Sequence, residues 1–165
     1  MKKIGLISDT HGEIDNHVYE NFKGCDEIWH AGDIGSWQVI SDLETIAPVK
    51  AVHGNIDGWE YRKKYPEILR FKCEDVNVLM THIGGYPGRY ASGMKTMFAE
   101  SPVDLFISGH SHILKVMYDD KFNLLHINPG AAGNVGLHQV RTLIRFVIDG
   151  KNIKDLEVIE MCRRG

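Results

Sequence analysis

Apolar residues in the first two-thirds of the chain fall in short runs, each ending in a polar, often glycine-containing break. "KKIGLIS" (2–8), "DEIWHA" (26–31) and "VKAVH" (49–53) read as strands. Residues 14–23 predict a short helix between the first two. Residues 36–47 predict another, with Ser36 as N-cap and Trp37, Ile40, Leu43 and Ile46 or Ala47 at helical spacing; Pro48 stops it. "EILRFK" and "VNVLMTH" flank Cys73-Glu74-Asp75, which predicts a hairpin. Residues 89–99 predict a helix, and "VDLFISG" a further strand. From residue 113 the pattern changes to paired strands: "ILKVMYD" with "FNLLHIN", then "RTLIRFVI" with "IKDLEVIE" around Asp149-Gly150-Lys151-Asn152. Alternating strand and helix followed by hairpins predicts an α/β fold of two packed mixed sheets flanked by helices. With no repeat or linker, residues 1–165 read as one domain.

Composition narrows the function classes. The net charge of −3 gives no general attraction to nucleic acid or anionic membrane. Arg62-Lys63-Lys64 reads as a solvated loop or helix face. No apolar run is long enough to span a membrane. Cys25, Cys73 and Cys162 are far apart and odd in number, so a disulfide or structural zinc is not expected, and the cytoplasm is the expected location.

The breaks after the runs carry the chemistry. They contain Asp9-Thr10-His11-Gly12, Gly32-Asp33, Gly54-Asn55-Ile56-Asp57, Thr81-His82, Gly109-His110-Ser111-His112 and Asn128-Pro129-Gly130. Taken singly, most have an ordinary reading as a cap or turn. Together they share one phase relative to the strands. If the strands share a sheet, Asp9, His11, Asp33, Asn55, His82, His110 and His112 converge at the carboxyl ends, where α/β sheets bind ligands. All seven offer oxygen or imidazole nitrogen, suited to divalent ions; no thiolate is among them. Seven donors suit two ions better than one, and a carboxylate such as Asp33 can bridge a pair roughly 3.5–4 Å apart. Gly12, Gly32, Gly54 and Gly109 would let backbone turn tightly close to ions or substrate.

The order D-x-H, G-D, G-N-x-D, strand-terminal H and G-H-x-H resembles the calcineurin-like metallophosphoesterase superfamily, in its small single-domain phosphodiesterase branch. The resemblance implies that Asp9, His11 and His112 bind one ion, that Asn55, His82 and His110 bind a second, and that Asp33 bridges. Asp33, Asn55 and His82 are the expected catalytic residues. The expected cofactors are two divalent ions, manganese first, with Ni, Fe, Zn, Co or Mg as alternatives. The expected reaction is in-line attack of metal-activated water on a small phosphodiester. A non-catalytic protein-binding scaffold of the same fold and a nuclease are the competing readings, long nucleic acid being disfavoured by the charge. Exposed hairpin edges leave a homo-oligomer open.

One position departs from the larger family members. Ile56 stands where they place a histidine, and Asp57, which orients that histidine, is left as a turn or supporting residue. His30 and His53 read as core or supporting groups, and His126 as sharing a sheet face with Asn128. Arg89 could reach a phosphate, although a surface role is favoured. Ser111 has no expected catalytic role, and His17 and His138 give no signal.

Overall fold

The computed structural model describes residues 1–163. In chain order the elements are β1 (Lys2–Ile7), α1 (Asn16–Phe22), β2 (Glu27–His30), α2 (Trp37–Glu44), β3 (Val49–Ala51) and α3 (Trp59–Lys64), then β4 (Ile68–Cys73) and β5 (Val76–Thr81). There follow β6 (Gly85–Tyr86), β7 (Arg89–Tyr90), α4 (Met94–Glu100), β8 (Leu105–Ile107), β9 (Lys115–Asp119), β10 (Leu124–Asn128), β11 (Arg141–Asp149) and β12 (Asn152–Met161).

The strands form two five-stranded mixed sheets, ordered β12-β11-β1-β2-β3 and β4-β5-β8-β10-β9, beside a small β6-β7 ribbon. In the first sheet β1, β2 and β3 run parallel; in the second β5, β8 and β10 do, and the remaining strands pair antiparallel. Period-two alternation explains the layering. Ile4 and Leu6 of β1, Ile144, Phe146 and Ile148 of β11, Val78 and Met80 of β5, and Leu105 and Ile107 of β8 fill one cluster between the sheets. The opposite faces bury Ile7 and Leu143 under α1 and α2, and Leu79 and Phe106 under α4. Gly5 lets α1 lie flat on β1, since a Cβ there would meet the Phe22 ring at 2.7 Å.

Two expectations need correction, and one helix was not expected. The strands with polar ends do not share one sheet; they divide between two, whose parallel strands point the same rim toward solvent. The helix expected at 89–99 begins at Met94, because Gly93 adopts φ 88° and Arg89 and Tyr90 pair with Tyr86 and Gly85. Residues 59–64 form α3, which buries none of its side chains and so has no apolar stripe to signal it. Among the described residues no helix is long and apolar enough to cross a membrane.

Candidate metal centre

The parallel strands of both sheets end at one rim, and the chain turns sharply there. Asp9, His11, Asp33, His110 and His112 all adopt left-handed backbone conformations, with φ between 50° and 71°. Such residues cost on the order of 1–3 kcal/mol each and concentrate at functional sites. These five are most of the eight non-glycine residues with positive φ among the described residues. The turns are held in register by backbone bonds: Asp9 N donates to Gly32 O at 3.0 Å, His11 N to Asp33 O at 3.1 Å, and Gly109 N to His82 O at 3.0 Å. Two further bonds tie the sheets together: the His110 amide donates to Asp9 Oδ2 at 3.1 Å, and His82 Nδ1 donates to Ala31 O at 2.7 Å.

The structure brings all seven predicted residues together. Asp9, His11 and His112 form one group and Asp33, His82 and His110 another, each with its donor atoms within 4.8 Å of one another. Asp33 Oδ2 lies between them, 3.6 Å from His11 Nε2 and 3.2 Å from His82 Nε2. Its other oxygen accepts the Ile56 amide at 3.1 Å. Asn55 Oδ1 completes the second group, 3.1 Å from His82 Nε2 and 3.0 Å from His110 Nδ1. Because His82 Nδ1 carries its proton toward Ala31, the neutral ring turns the Nε2 lone pair inward.

Asp9 Oδ1 and His11 Nε2 are buried without a hydrogen-bond partner. Asp9 Oδ2 is engaged by Ser8 Oγ at 2.6 Å and by the His110 amide, so it is the Oδ1 side that faces the imidazoles, with His112 Nε2 at 3.2 Å. Buried polar atoms are rarely left unpaired. Here the orphans are ligand-type atoms that converge on one point, which fits a divalent cation.

The electrostatics agree. Burial pushes the Asp9 carboxyl up, but His11, His112 and His82 outweigh it and hold the group far below the usual carboxylate range. Burial likewise opposes ionisation of Asp33, and His82 reverses it to a lowered value. Asp9 raises His11; His82, lowered by burial, is carried above its ordinary value by Asp33 and Asp9. The rim therefore attracts positive charge, as protons or as metal.

The surrounding residues have structural work. Buried Asp57 accepts three backbone amides: Ile34 at 3.1 Å and Gly54 at 2.8 Å on Oδ2, and Gly35 at 3.0 Å on Oδ1. It thus joins the loops carrying Asp33 and Asn55. Asn128 Nδ2 donates to Gly109 O at 3.0 Å and Ser111 Oγ at 3.1 Å, and Ser111 Oγ also accepts the Ile113 amide, so both residues brace the His110–His112 turn. His30 accepts the Gly32 amide on Nδ1 and donates from Nε2 to Thr10 Oγ1, which donates to Ile34 O. His53 is held by Tyr65 O and lies outside both ligand groups. Ile56 is 47 % exposed. Gly54 has a role different from that expected: a Cβ there would meet Asp33 Oδ1 at 2.0 Å, so its absence makes room for a ligand side chain rather than for an ion. His138, silent in the sequence, stands against His112 with ring centroids 5.1 Å apart, brought there by the 133–140 loop. An isolated histidine in a glycine-rich stretch carries no pattern that would have revealed it.

Comparison with known proteins agrees with this geometry. A metallophosphoesterase relative from Methanothermobacter thermautotrophicus, named "Probable metallophosphoesterase", is 32% identical over 161 residues, covering 94% of this chain and 91% of that protein. A phosphodiesterase of Methanocaldococcus jannaschii is 26% identical over 145 residues, covering 78% and 82%. Among solved structures, one described as a novel archaeal phosphodiesterase superposes with TM-score 0.73 at 25% identity, covering 96% of this chain and 99% of its own. Zinc-complexed Vps29 of Entamoeba histolytica shares the fold, with TM-score 0.75 at 16% identity and coverage of 98% and 99%. A family model for the calcineurin-like phosphoesterase superfamily domain matches residues 1–151, and the chain belongs to that superfamily.

Proposed function

We propose that the protein holds two divalent cations at this rim and hydrolyses small phosphodiesters. Asp9 Oδ1, His11 Nε2 and His112 would hold one ion, Asn55 Oδ1, His82 Nε2 and His110 the other, and Asp33 Oδ2 would face both. The observation that carries the reading is the pair of orphaned buried ligand atoms, Asp9 Oδ1 and His11 Nε2, inside an arrangement of seven convergent donors. The oxygen and nitrogen donor set suits manganese, with Fe, Ni, Co, Zn and Mg as alternatives. When bound, such ions act as Lewis acids on phosphoryl oxygens and make an attacking water acidic.

The chain's own residues set the conditions for that chemistry. Asp33 fixes the spacing of the two groups, His82 is held in one tautomer by Ala31 O, and Asp57 keeps the Asp33 and Asn55 loops together. Ile56 offers the leaving group no proton, which favours substrates whose leaving groups are already acidic. The net charge of −3 favours a small diester over a long polyanion. Three unpaired cysteines support a reducing, cytoplasmic setting.

Hydrolysis of bis(4-nitrophenyl) phosphate by protein stripped of metal and reloaded with each ion tests the proposal. Turnover that is restored by a divalent ion supports it. Bound metal without turnover on any diester or monoester would favour the scaffold reading instead.

A further inference from the structure

A groove of about 500 Å³ opens beside His110, between the β6-β7 ribbon and β9-β10. Its size falls within the range of about 300–1,000 Å³ common to small-molecule sites. Ile83, Tyr86, Tyr90 and Ile113 give it apolar walls; Arg89 and Lys115 bring the cations, and no carboxylate lines it. Lys115 Nζ rests over the Tyr86 ring at 4.2 Å and so links two walls.

One buried side chain in this wall has a nitrogen without a hydrogen-bond partner. His126 is wholly buried, yet lies on the groove side of β10 together with Asn128. Its Nδ1 is 3.2 Å from Phe106 O, an atom that only accepts, so Nδ1 carries the ring proton. Nε2 is then a lone-pair acceptor, and it is buried without a hydrogen-bond partner. A core histidine with no ligand to meet has its second nitrogen satisfied or is replaced by an apolar ring. Burial keeps this one neutral, with its pKa pushed down to about 4.

We propose that the groove receives one arm of the diester, a flat uncharged ring bearing an N–H donor, such as a nucleobase, which donates to His126 Nε2. To meet the buried Nε2, the ring displaces Lys115 from the face of Tyr86 and stacks there in its place. Arg89 and the released Lys115 then stand near the anionic phosphate, whose position is set by His110 and its neighbours. The inference rests on the phosphodiesterase reading and specifies its substrate class.

The test uses manganese-loaded protein and three chromogenic diesters: uridine 5′-(4-nitrophenyl) phosphate, its N3-methyl derivative, and methyl 4-nitrophenyl phosphate. The N3-methyl group removes the base's only N–H. In the wild type, kcat/KM for the uridine ester should exceed both others by about tenfold or more, the scale of a lost hydrogen bond to a buried acceptor. His126→Phe should erase the discrimination between the uridine ester and its N3-methyl form, chiefly through KM. Equal kcat/KM for uridine and N3-methyluridine esters in the wild type, or an unchanged ratio in His126→Phe, would overturn the assignment of the groove. Hydrolysis of none of the three would instead overturn the phosphodiesterase reading beneath it.

Discussion

Asp57→Asn tests the role of Asp57 as a brace between the loops that carry Asp33 and Asn55. The native carboxylate accepts three backbone amides at 2.8–3.1 Å and is 2 % exposed. Hydrogen bonds to a buried charged group contribute roughly 1.5–3 kcal/mol each. An asparagine must present an NH₂ to at least one of these amides, losing one bond outright and the charge from the other two. The expected loss of stability is about 3 kcal/mol, or about 1.5 M in urea midpoint for a slope near 2 kcal/mol/M. Complete removal in Asp57→Ala would cost roughly 5–9 kcal/mol, comparable to the whole stability of a domain, so Asp57→Asn is the informative variant. Because Asp57 joins the loops of Asp33 and Asn55, manganese affinity should also fall by about 10–100-fold, as for other residues that orient ligands. Urea unfolding and calorimetric titration with manganese read the two effects. A variant within about 1 kcal/mol of the wild type, with unaltered metal affinity, would refute the brace.

Other outcomes follow from the same geometry. His112→Ala should weaken chiefly one ion, leaving a second binding event visible by calorimetry; loss of both would show that the two groups are not separable. Metal binding and hydrolysis should weaken as pH falls, because the carboxylates hold the His11 and His82 protons at raised pKa values and metal must displace them. In the metal-free chain those two raised values stabilise the fold fully below the unfolded pKa of about 6.5, and that contribution is lost as pH rises through the folded values. A metal affinity unchanged between pH 8 and pH 5.5 would contradict this. His126 acts with the opposite sign: burial lowers it to about 4, so its share of stability is lost as pH falls from about 6.5 toward 4. His126→Phe should therefore reduce the stability lost between pH 7 and pH 5 by about 2 kcal/mol, and an unaltered pH slope would show that the ring is not held neutral. Ile56→His alone should leave the dependence of rate on leaving-group pKa unchanged, since both oxygens of Asp57 are occupied by backbone amides and cannot orient the new ring. A shallower dependence would show that Asp57 is free to help it.

The convergence of the candidate metal ligands was legible because their side-chain chemistry sits at a fixed phase after apolar runs. Asp9, His11, Asp33, Asn55, His82, His110 and His112 all lie at one rim, as that phase implied. The partition of their strands between two sheets was not legible, because parallel runs such as "GLI" and "LFI" are buried on both faces and do not say which neighbours they pair with. The left-handed turns were hidden for another reason: aspartate and histidine replace the glycine that normally marks such a backbone, and local strain there is sustained by the surrounding bonds. Helix α3 had only a charge signal, Glu60 in its first turn and Arg62, Lys63 and Lys64 in its last, which agrees with the helix dipole but is weak without apolar periodicity. The approach of His138 to His112 is long-range packing that spacing does not encode.

Metal stoichiometry measured alongside turnover tests the central claim most directly. Metal-free protein and Asp33→Asn would each be titrated with manganese, bound ion would be quantified per chain, and bis(4-nitrophenyl) phosphate hydrolysis would be followed in the same samples. The account predicts two ions per wild-type chain, with activity appearing as the second binds, and loss of both tight binding and activity in Asp33→Asn. A wild type that saturates with a single ion at full activity, or an Asp33→Asn protein that binds two ions and turns over normally, would contradict it.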